Sequence, residues 1–254
     1  MTESFEKTKV AGSIAAGALD EVNNIIKPGV STSEIDELCY QYINDHKAFS
    51  APLFYRGFPK SCCTSSNHVV CHGIPSEKIL NDGDILNVDV TAIKDGWHGD
   101  TSRMFVVGEC SVKAKKLIKT TYEAMMEAIK IIKANIKIGN IGYTIQKIVE
   151  AEGFSVVRDF CGHGIGKKFH ESPNVLHYGE KNSGQELKAG MIFTVEPMIN
   201  YGKFETKTLK DGWTAVTKDK TLSAQFEHTV GIKEDGFEIF TLSQENLDQP
   251  KYDL

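Results

Sequence analysis

Five side chains in this sequence sit in local patterns that could aim them at one point: Asp89, Asp100, His163, Glu196 and Glu227. The run Ile85-Leu86-Asn87-Val88-Asp89-Val90-Thr91 alternates. As a strand it puts Leu86, Val88 and Val90 on one face and Asn87, Asp89 and Thr91 on the other. Asp95-Gly96 is a strong two-residue hairpin signal. With those residues as the turn, Thr91 pairs with Asp100 and Asp89 with Ser102. The two aspartates then become diagonal neighbours, about 7–8 Å apart at the backbone. Two carboxylates aimed at one spot repel unless one takes a proton or a cation sits between them.

Two more strands follow the same logic. Ile192-Phe193-Thr194-Val195-Glu196-Pro197 places Glu196 with Thr194, and Pro197 ends the ladder because it has no N–H to donate. Ala224-Gln225-Phe226-Glu227-His228-Thr229 places Glu227 with Gln225 and Thr229. Taken singly, each acid fits a solvated sheet face equally well. His163 lies in Cys161-Gly162-His163-Gly164-Ile165-Gly166, where glycines allow close backbone approach and unusual dihedrals. That run is neither Gly-x-Gly-x-x-Gly nor a P-loop, which argues against a nucleotide. Four carboxylates and one imidazole together suit hard or borderline divalent ions such as manganese, iron, cobalt or zinc. Two ions sharing carboxylates would explain the number of acids, and such pairs serve hydrolysis.

The elements that must position these groups are also legible. Residues 4–26 read as a helix ending at Lys27-Pro28-Gly29, and Ser31-x-x-Glu34 is a capping box opening a second helix with Ile35, Leu38, Cys39 and Tyr42 on one stripe. Residues 112–134 read as a long helix, followed by another with Ile145, Ile148 and Val149 on its stripe. Aligning Gly29 with Gly139 superposes Ile26-Lys27-x-Gly on Ile136-Lys137-x-Gly, which suggests an internal duplication. Extended runs at 84–91, 98–107, 191–197 and 222–232 follow the helix pairs, so the fold class is α+β, an antiparallel sheet covered by helices. No linker composition interrupts the chain. It reads as one domain over 1–254 with halves of roughly 5–110 and 111–240.

Composition excludes several classes. The 254 residues are 41% hydrophobic and carry a net charge of -5, so no basic footprint for nucleic acid exists. No apolar run reaches membrane-spanning length. Glu3 and Glu6 without an apolar core after them do not read as a secretory signal. Six cysteines at irregular spacings, with no Cys-x-x-Cys, fit reduced thiols in the cytoplasm. The polar tail from Ser243 is expected to be solvated.

His72-Gly73-Ile74-Pro75, Asn87-Val88-Asp89-Val90, Asp95-Gly96-x-His98-Gly99-Asp100-Thr101-Ser102, Gly162-His163-Gly164-Ile165-Gly166, His170-Glu171, Phe193-Thr194-Val195-Glu196-Pro197 and Glu227-His228-Thr229 together resemble the type I methionine aminopeptidases, in order and over nearly the whole chain. That family has the pita-bread fold, two pseudo-symmetric halves around a curved antiparallel sheet. The resemblance implies two divalent ions (Co, Mn, Fe or Zn), bridged by Asp100 and Glu227. Asp89 completes one ion; His163 and Glu196 complete the other. It implies Glu196 as general base and acid, His170 as oxyanion stabiliser, and His72 at the scissile amide. Tyr55, Phe58, Cys63, Phe169 and Trp213 match the methionine cup, whose aromatic and sulfur contacts suit a thioether. Asn67, Val69 and Ser223 match a monovalent cation site.

The activity implied is removal of the initiator methionine from nascent polypeptides with a small second residue. A monomer with transient ribosome association, and with no nucleic-acid specificity, is expected. Pro52 departs from the cysteine that some bacterial members carry at the pocket rim. The chain has neither the long insert of type II nor an N-terminal zinc-finger extension, as in the compact bacterial form. Two alternatives share the fold: an X-Pro peptidase, and a non-enzymatic binding protein.

Overall fold

The hairpin predicted at Asp95-Gly96 forms in the expected register. This computed structural model describes residues 3–250. In its first half, helices α1 (Glu3–Ile25) and α2 (Thr32–Asp45) precede β1 (Phe49–Ser50), β2 (Cys63–Ser66), β3 (Val69–Cys71), β4 (Ile85–Lys94) and β5 (Trp97–Val106). In the second, α3 (Val112–Lys130) and α4 (Gly139–Ala151) precede β6 (Ser155–Val156), β7 (Gly162–Gly164), β8 (Glu171–Val175), β9 (Ile192–Val195) and β10 (Met198–Asn200). Then come β11 (Thr206–Thr208), β12 (Ala215–Thr217), β13 (Ser223–Gln225), β14 (His228–Lys233) and β15 (Gly236–Ile239). Thr91 faces Asp100 and Asp89 faces Ser102 across β4–β5. Asp95 and Gly96 take φ of 50° and 79°, the left-handed pair that a two-residue turn of this hand requires.

Each half repeats one plan. Ser31 caps α2 reciprocally: its Oγ accepts from Glu34 N at 3.2 Å, and Glu34 Oε2 accepts from Ser31 N at 2.7 Å. The loop after α1 is held by Gly29 N donating to Leu80 O and Leu80 N to Val30 O. The loop after α3 is held by Ile138 N donating to Gln185 O and Leu187 N to Ile136 O. Leu80 leads into β4 as Leu187 leads into β9, and each strand carries an acid four residues after its first isoleucine, Asp89 and Glu196. The aligned glycines differ in role, however. Gly29 turns with φ 96°, whereas Gly139 is the first residue of α4.

The apolar faces face the helices. Leu86, Val88 and Val90 pack with Leu19, Val22, Ile35 and Ile43 under α1 and α2. Phe193, Val195 and Val230 pack with Leu117, Ile118, Ile145 and Val149 under α3 and α4. Each fully buried side chain of this size contributes about 1.5–3 kcal/mol, so the strands are pinned with their polar faces inward. All strand pairs are antiparallel. Among the described residues no helix is long and apolar enough to cross a membrane.

Three expectations need correction. The helix expected over 112–134 ends at Lys130. The runs 191–197 and 222–232 are each broken, at Glu196-Pro197 and at Phe226-Glu227, so the acids sit at strand breaks. The tail is docked rather than solvated: Ser243 Oγ donates to Asp20 Oδ1 at 2.7 Å, and Ser243 N donates to Asp248 Oδ1 at 2.8 Å. Asp20 is also the partner of the buried Arg103, so the tail closes over an ion pair that needs cover. Residues 251–254 of that tail, like Met1 and Thr2, lie outside the described residues.

Candidate active site

The halves are zipped together where the acids lie. Glu227 N donates to Ser102 O at 3.1 Å, and Thr101 Oγ1 donates to Glu227 O at 2.7 Å. Asp100 N donates to Thr229 Oγ1 at 3.0 Å, and Thr229 Oγ1 donates to Asp100 O at 2.8 Å. This seam sets Asp100 of the first half beside Glu227 of the second, and brings β7 and β9 against them. Ligand atoms of Asp100, His163 and Glu227 lie within 4.8 Å of one another. His163 Nε2 is 3.7 Å from Asp100 Oδ2 and 3.5 Å from Glu196 Oε1. Asp89 lies on the same cavity lining, close enough for its charge to raise Asp100.

Removal from water dominates the electrostatics. Burial raises Asp89 to about 7 and Glu196 to about 8. It pushes Asp100 and Glu227 well above the carboxylate range, with the neighbouring acids adding to both. Such a cluster holds protons or cations at neutral pH. Fixed donors orient it: Thr91 Oγ1 donates to Asp100 Oδ1 at 2.7 Å, and Thr194 Oγ1 to Glu196 Oε1 at 2.6 Å. Glu227 Oε1 is buried with no hydrogen-bond partner. A buried carboxylate oxygen without a donor, beside three more acids, is what a cation ligand looks like before the cation is placed. The donor set of oxygens and one imidazole fits a divalent ion of the manganese-to-zinc group.

His163 is prepared for that role. Its Nδ1 lies 3.1 Å from Gly164 O, a position for a donating N–H, which leaves the Nε2 lone pair toward Asp100 and Glu196. Burial lowers its pKa to about 4, so the ring is neutral and free to coordinate. The flanking glycines serve close approach: a Cβ on Gly162 would meet Thr194 O at 2.4 Å, and one on Gly164 would meet Ser172 O at 2.1 Å. Neither has positive φ, so the expected unusual dihedrals are not the reason for them.

Around the acids is a cavity of about 360 Å³. Its lining holds every predicted metal and catalytic residue together with Tyr55, Phe58, Cys63, Phe169 and Trp213. Phe58 meets Trp213 edge-on at 5.2 Å between ring centres, and Tyr55 lies 4.9 Å from Phe169. Cys63 pairs with Asp89 across β2–β4 and faces the cavity, while its neighbour Cys62 is buried in the α1–α2 core. His72 is held with φ 55° and packs edge-on against Phe160 and Trp213. His170 stands at the cavity mouth, 4.2 Å from the His163 ring and 5.2 Å from Tyr55. Its desolvating surroundings, and then His163, His72 and Arg56, push it below the usual imidazole range.

Other predicted groups lie elsewhere. Asn67, Val69 and Ser223 are outside the cavity lining, linked by Ser223 N donating to Asn67 O at 2.8 Å. His98 Nδ1 faces Gly166 O and His228 Nδ1 faces Thr241 Oγ1. Sequence reasoning gave His177 no role, yet Glu196 N donates to its Nε2 at 3.1 Å. Asp159, Phe160, Cys161 and Met198 also line the cavity. No periodicity marks the first three, which come from a loop, and Met198 opens a three-residue strand too short to show one.

The comparisons agree with this geometry. Residues 6–234 match metallopeptidase family M24. A methionine aminopeptidase of Rickettsia prowazekii is 55% identical over 251 residues, 98% of this chain and 97% of that protein. One of Escherichia coli K12 is 54% identical over 246 residues, covering 96% and 93%. The crystal structure of the Rickettsia enzyme superposes with a TM-score of 0.94, covering 95% of this chain and 98% of that one. The pita-bread fold and a peptidase activity follow, in preference to an X-Pro peptidase or a binding protein. The chain belongs to the methionine aminopeptidases of metallopeptidase family M24.

Proposed function

We propose that this chain removes the initiator methionine of nascent polypeptides whose second residue is small. Two divalent ions would be held by Asp89, Asp100, His163, Glu196 and Glu227, with Asp100 and Glu227 shared between them. The observation that carries this reading is the partnerless buried oxygen of Glu227 amid acids that burial has driven above their usual range. Ions of this kind make bound water acidic enough to attack a carbonyl at neutral pH.

The chain's own groups do the rest. Glu196, aimed by Thr194 and Gln225, accepts a proton and returns it to the leaving nitrogen. Neutral His170 donates to the oxygen that gains charge in the tetrahedral state. His72, fixed by its backbone and by Trp213, contacts the scissile amide. Tyr55, Phe58, Cys63, Phe169 and Trp213 enclose the methionine side chain. The small second residue is the part of this reading that rests on the family resemblance. Asn67, in the left-handed region at φ 55°, would hold a monovalent cation together with Val69 and Ser223. Free thiols throughout fit a reducing cytoplasm, where the enzyme would act as a monomer meeting new chains transiently at the ribosome.

The test is metal analysis of anaerobically purified protein beside assays on Met-Ala-Ser and on X-Pro peptides. We expect methionine release from the first, none from the second, and bound divalent metal. Cleavage of X-Pro peptides alone, or full turnover without metal, would overturn the reading.

A further inference from the structure

The cavity mouth carries one cation for which the reaction above has no use. Arg56 lines the cavity yet is exposed to solvent. It sits in a tight loop where Phe54, Arg56 and Gly57 take φ of 66°, 48° and 86°. Two reverse-turn hydrogen bonds close that loop, Gly57 N to Phe54 O at 3.1 Å and Phe58 N to Tyr55 O at 2.9 Å. Left-handed backbone is unfavourable for a residue with a Cβ, so the loop fixes where this side chain starts. The guanidinium lies 5.3 Å from the centre of the Tyr55 ring. Lys7, Lys9, Lys60 and Lys116 each have a carboxylate within ion-pair distance; among the described residues Arg56 has none. Asp159, the acid also exposed along the cavity lining, is engaged instead by Thr206 Oγ1 at 2.5 Å.

The path of a substrate places this charge. Tyr55 to His170 is 5.2 Å and His170 to His163 is 4.2 Å between ring centres. The guanidinium is therefore at most roughly four extended residues from the His163 ring. In an extended peptide, side chains one and three point the same way. With the methionine side chain in the cup that Tyr55 walls, the third side chain returns to that wall further out, where Arg56 lies.

We infer that Arg56 is a specificity residue that pairs with a carboxylate on the third residue of the substrate, favouring Asp or Glu there over Lys or Arg. This rests on the methionine-removal reading and adds a preference to it. A guanidinium and a carboxylate can pair through two parallel N–H···O bonds, and at an exposed mouth the gain is modest.

The experiment uses amidated Met-Ala-Xaa-Gly peptides with Xaa Ala, Glu or Lys, so that no terminal carboxylate competes. The intact enzyme should show kcat/KM for the Glu peptide roughly three- to tenfold above that for the Lys peptide, carried by KM and shrinking as salt is added. Arg56→Lys should keep most of that ratio, Arg56→Ala should bring it close to one, and Arg56→Glu should invert it. Circular dichroism checks that each variant is folded. A ratio at or below one in the unaltered enzyme would mean that Asp159 or solvent sets the mouth, and would overturn the inference. So would a ratio unchanged in Arg56→Ala. Failure to cleave the Ala peptide would defeat the methionine reading and this inference with it.

Discussion

The two halves of the molecule hang an acid at the same place on the same backbone, but they surround it differently. In the first, Asp89 lies in β4, which pairs with β5 as two unbroken ten-residue strands, and its neighbour on β2 is Cys63. In the second, Glu196 follows a four-residue strand and precedes Pro197, and the neighbouring strand β7 carries His163 between two crowded glycines. The regular half provides a rigid plate and a wall of the apolar cup. The broken half provides the imidazole, an acid raised by burial as Asp89 is, and loops that reach the mouth. On the proposed reading, two similar halves would separate positioning from proton handling by where their strands are interrupted.

The comparison breaks first at the seam. Asp100→Asn removes a carboxylate that both halves face, so turnover should fall by at least about 10³-fold and bound metal should be lost, with the circular dichroism spectrum unchanged. Near-normal turnover would remove Asp100 from the centre of the site. The histidines come next. His72→Ala, in the first half, and His170→Ala, in the second, should each slow turnover by roughly 10²–10³-fold while metal content stays near that of the unaltered protein. Loss of metal in either variant would make that histidine a ligand.

Much of this was legible in the residue order, and what was not has a physical reason. Period-two alternation and Asp95-Gly96 specify the β4–β5 register because a one-residue slip would turn Leu86, Val88 and Val90 out of the core. The Ser31 cap was equally plain. The closing of the ladder at Pro197 followed from its missing N–H. By contrast, His177 reaches Glu196 from a loop 19 residues away, and Arg56 reaches the mouth through turn geometry, and neither leaves a periodic trace. The docked tail was missed because Ser243 and Asp20, 223 residues apart, meet only once the fold exists.

The threonines sharpen the contrast on a smaller scale. Thr91 follows Asp89 by two residues but holds Asp100 on the partner strand, whereas Thr194 precedes Glu196 by two and holds that same acid. Removing a hydroxyl that orients a ligand weakens metal affinity by about 10–100-fold, so Thr91→Val and Thr194→Val should both lie in that range. Thr194→Val should in addition shift the alkaline limb of the rate profile if its partner Glu196 carries the proton as proposed. Isothermal titration with manganese, read beside kcat against pH, separates the two effects. Equal pH profiles for both variants would place proton handling elsewhere than Glu196.

The smallest effect is a slope. In the metal-free chain the folded-state pKa values of the acids are raised, Asp89 to about 7 and Glu196 to about 8, with Asp100 and Glu227 also above their usual range. An unfolded chain ionises these groups near pH 4. Between those limits the folded state binds more protons than the unfolded one, so stability falls as pH rises. Seven histidines work the other way. His68, His72, His98, His163, His170, His177 and His228 are all lowered in the fold, so they weaken it as pH falls through about 6.5. Histidine and cysteine contributions are shared by the metal-free and metal-loaded forms, so the difference between the two reports the acids. From pH 6.5 to 8 the chelated protein should lose stability relative to the metal-loaded one by about 1.4 kcal/mol per pH unit for each proton the acids retain, since bound cations replace those protons in the loaded form. Urea melts of both forms across that window decide it. Parallel pH dependences would mean that the acids are not the cation's ligands, and the distinction between a rigid half and a proton-handling half would lose its chemical basis.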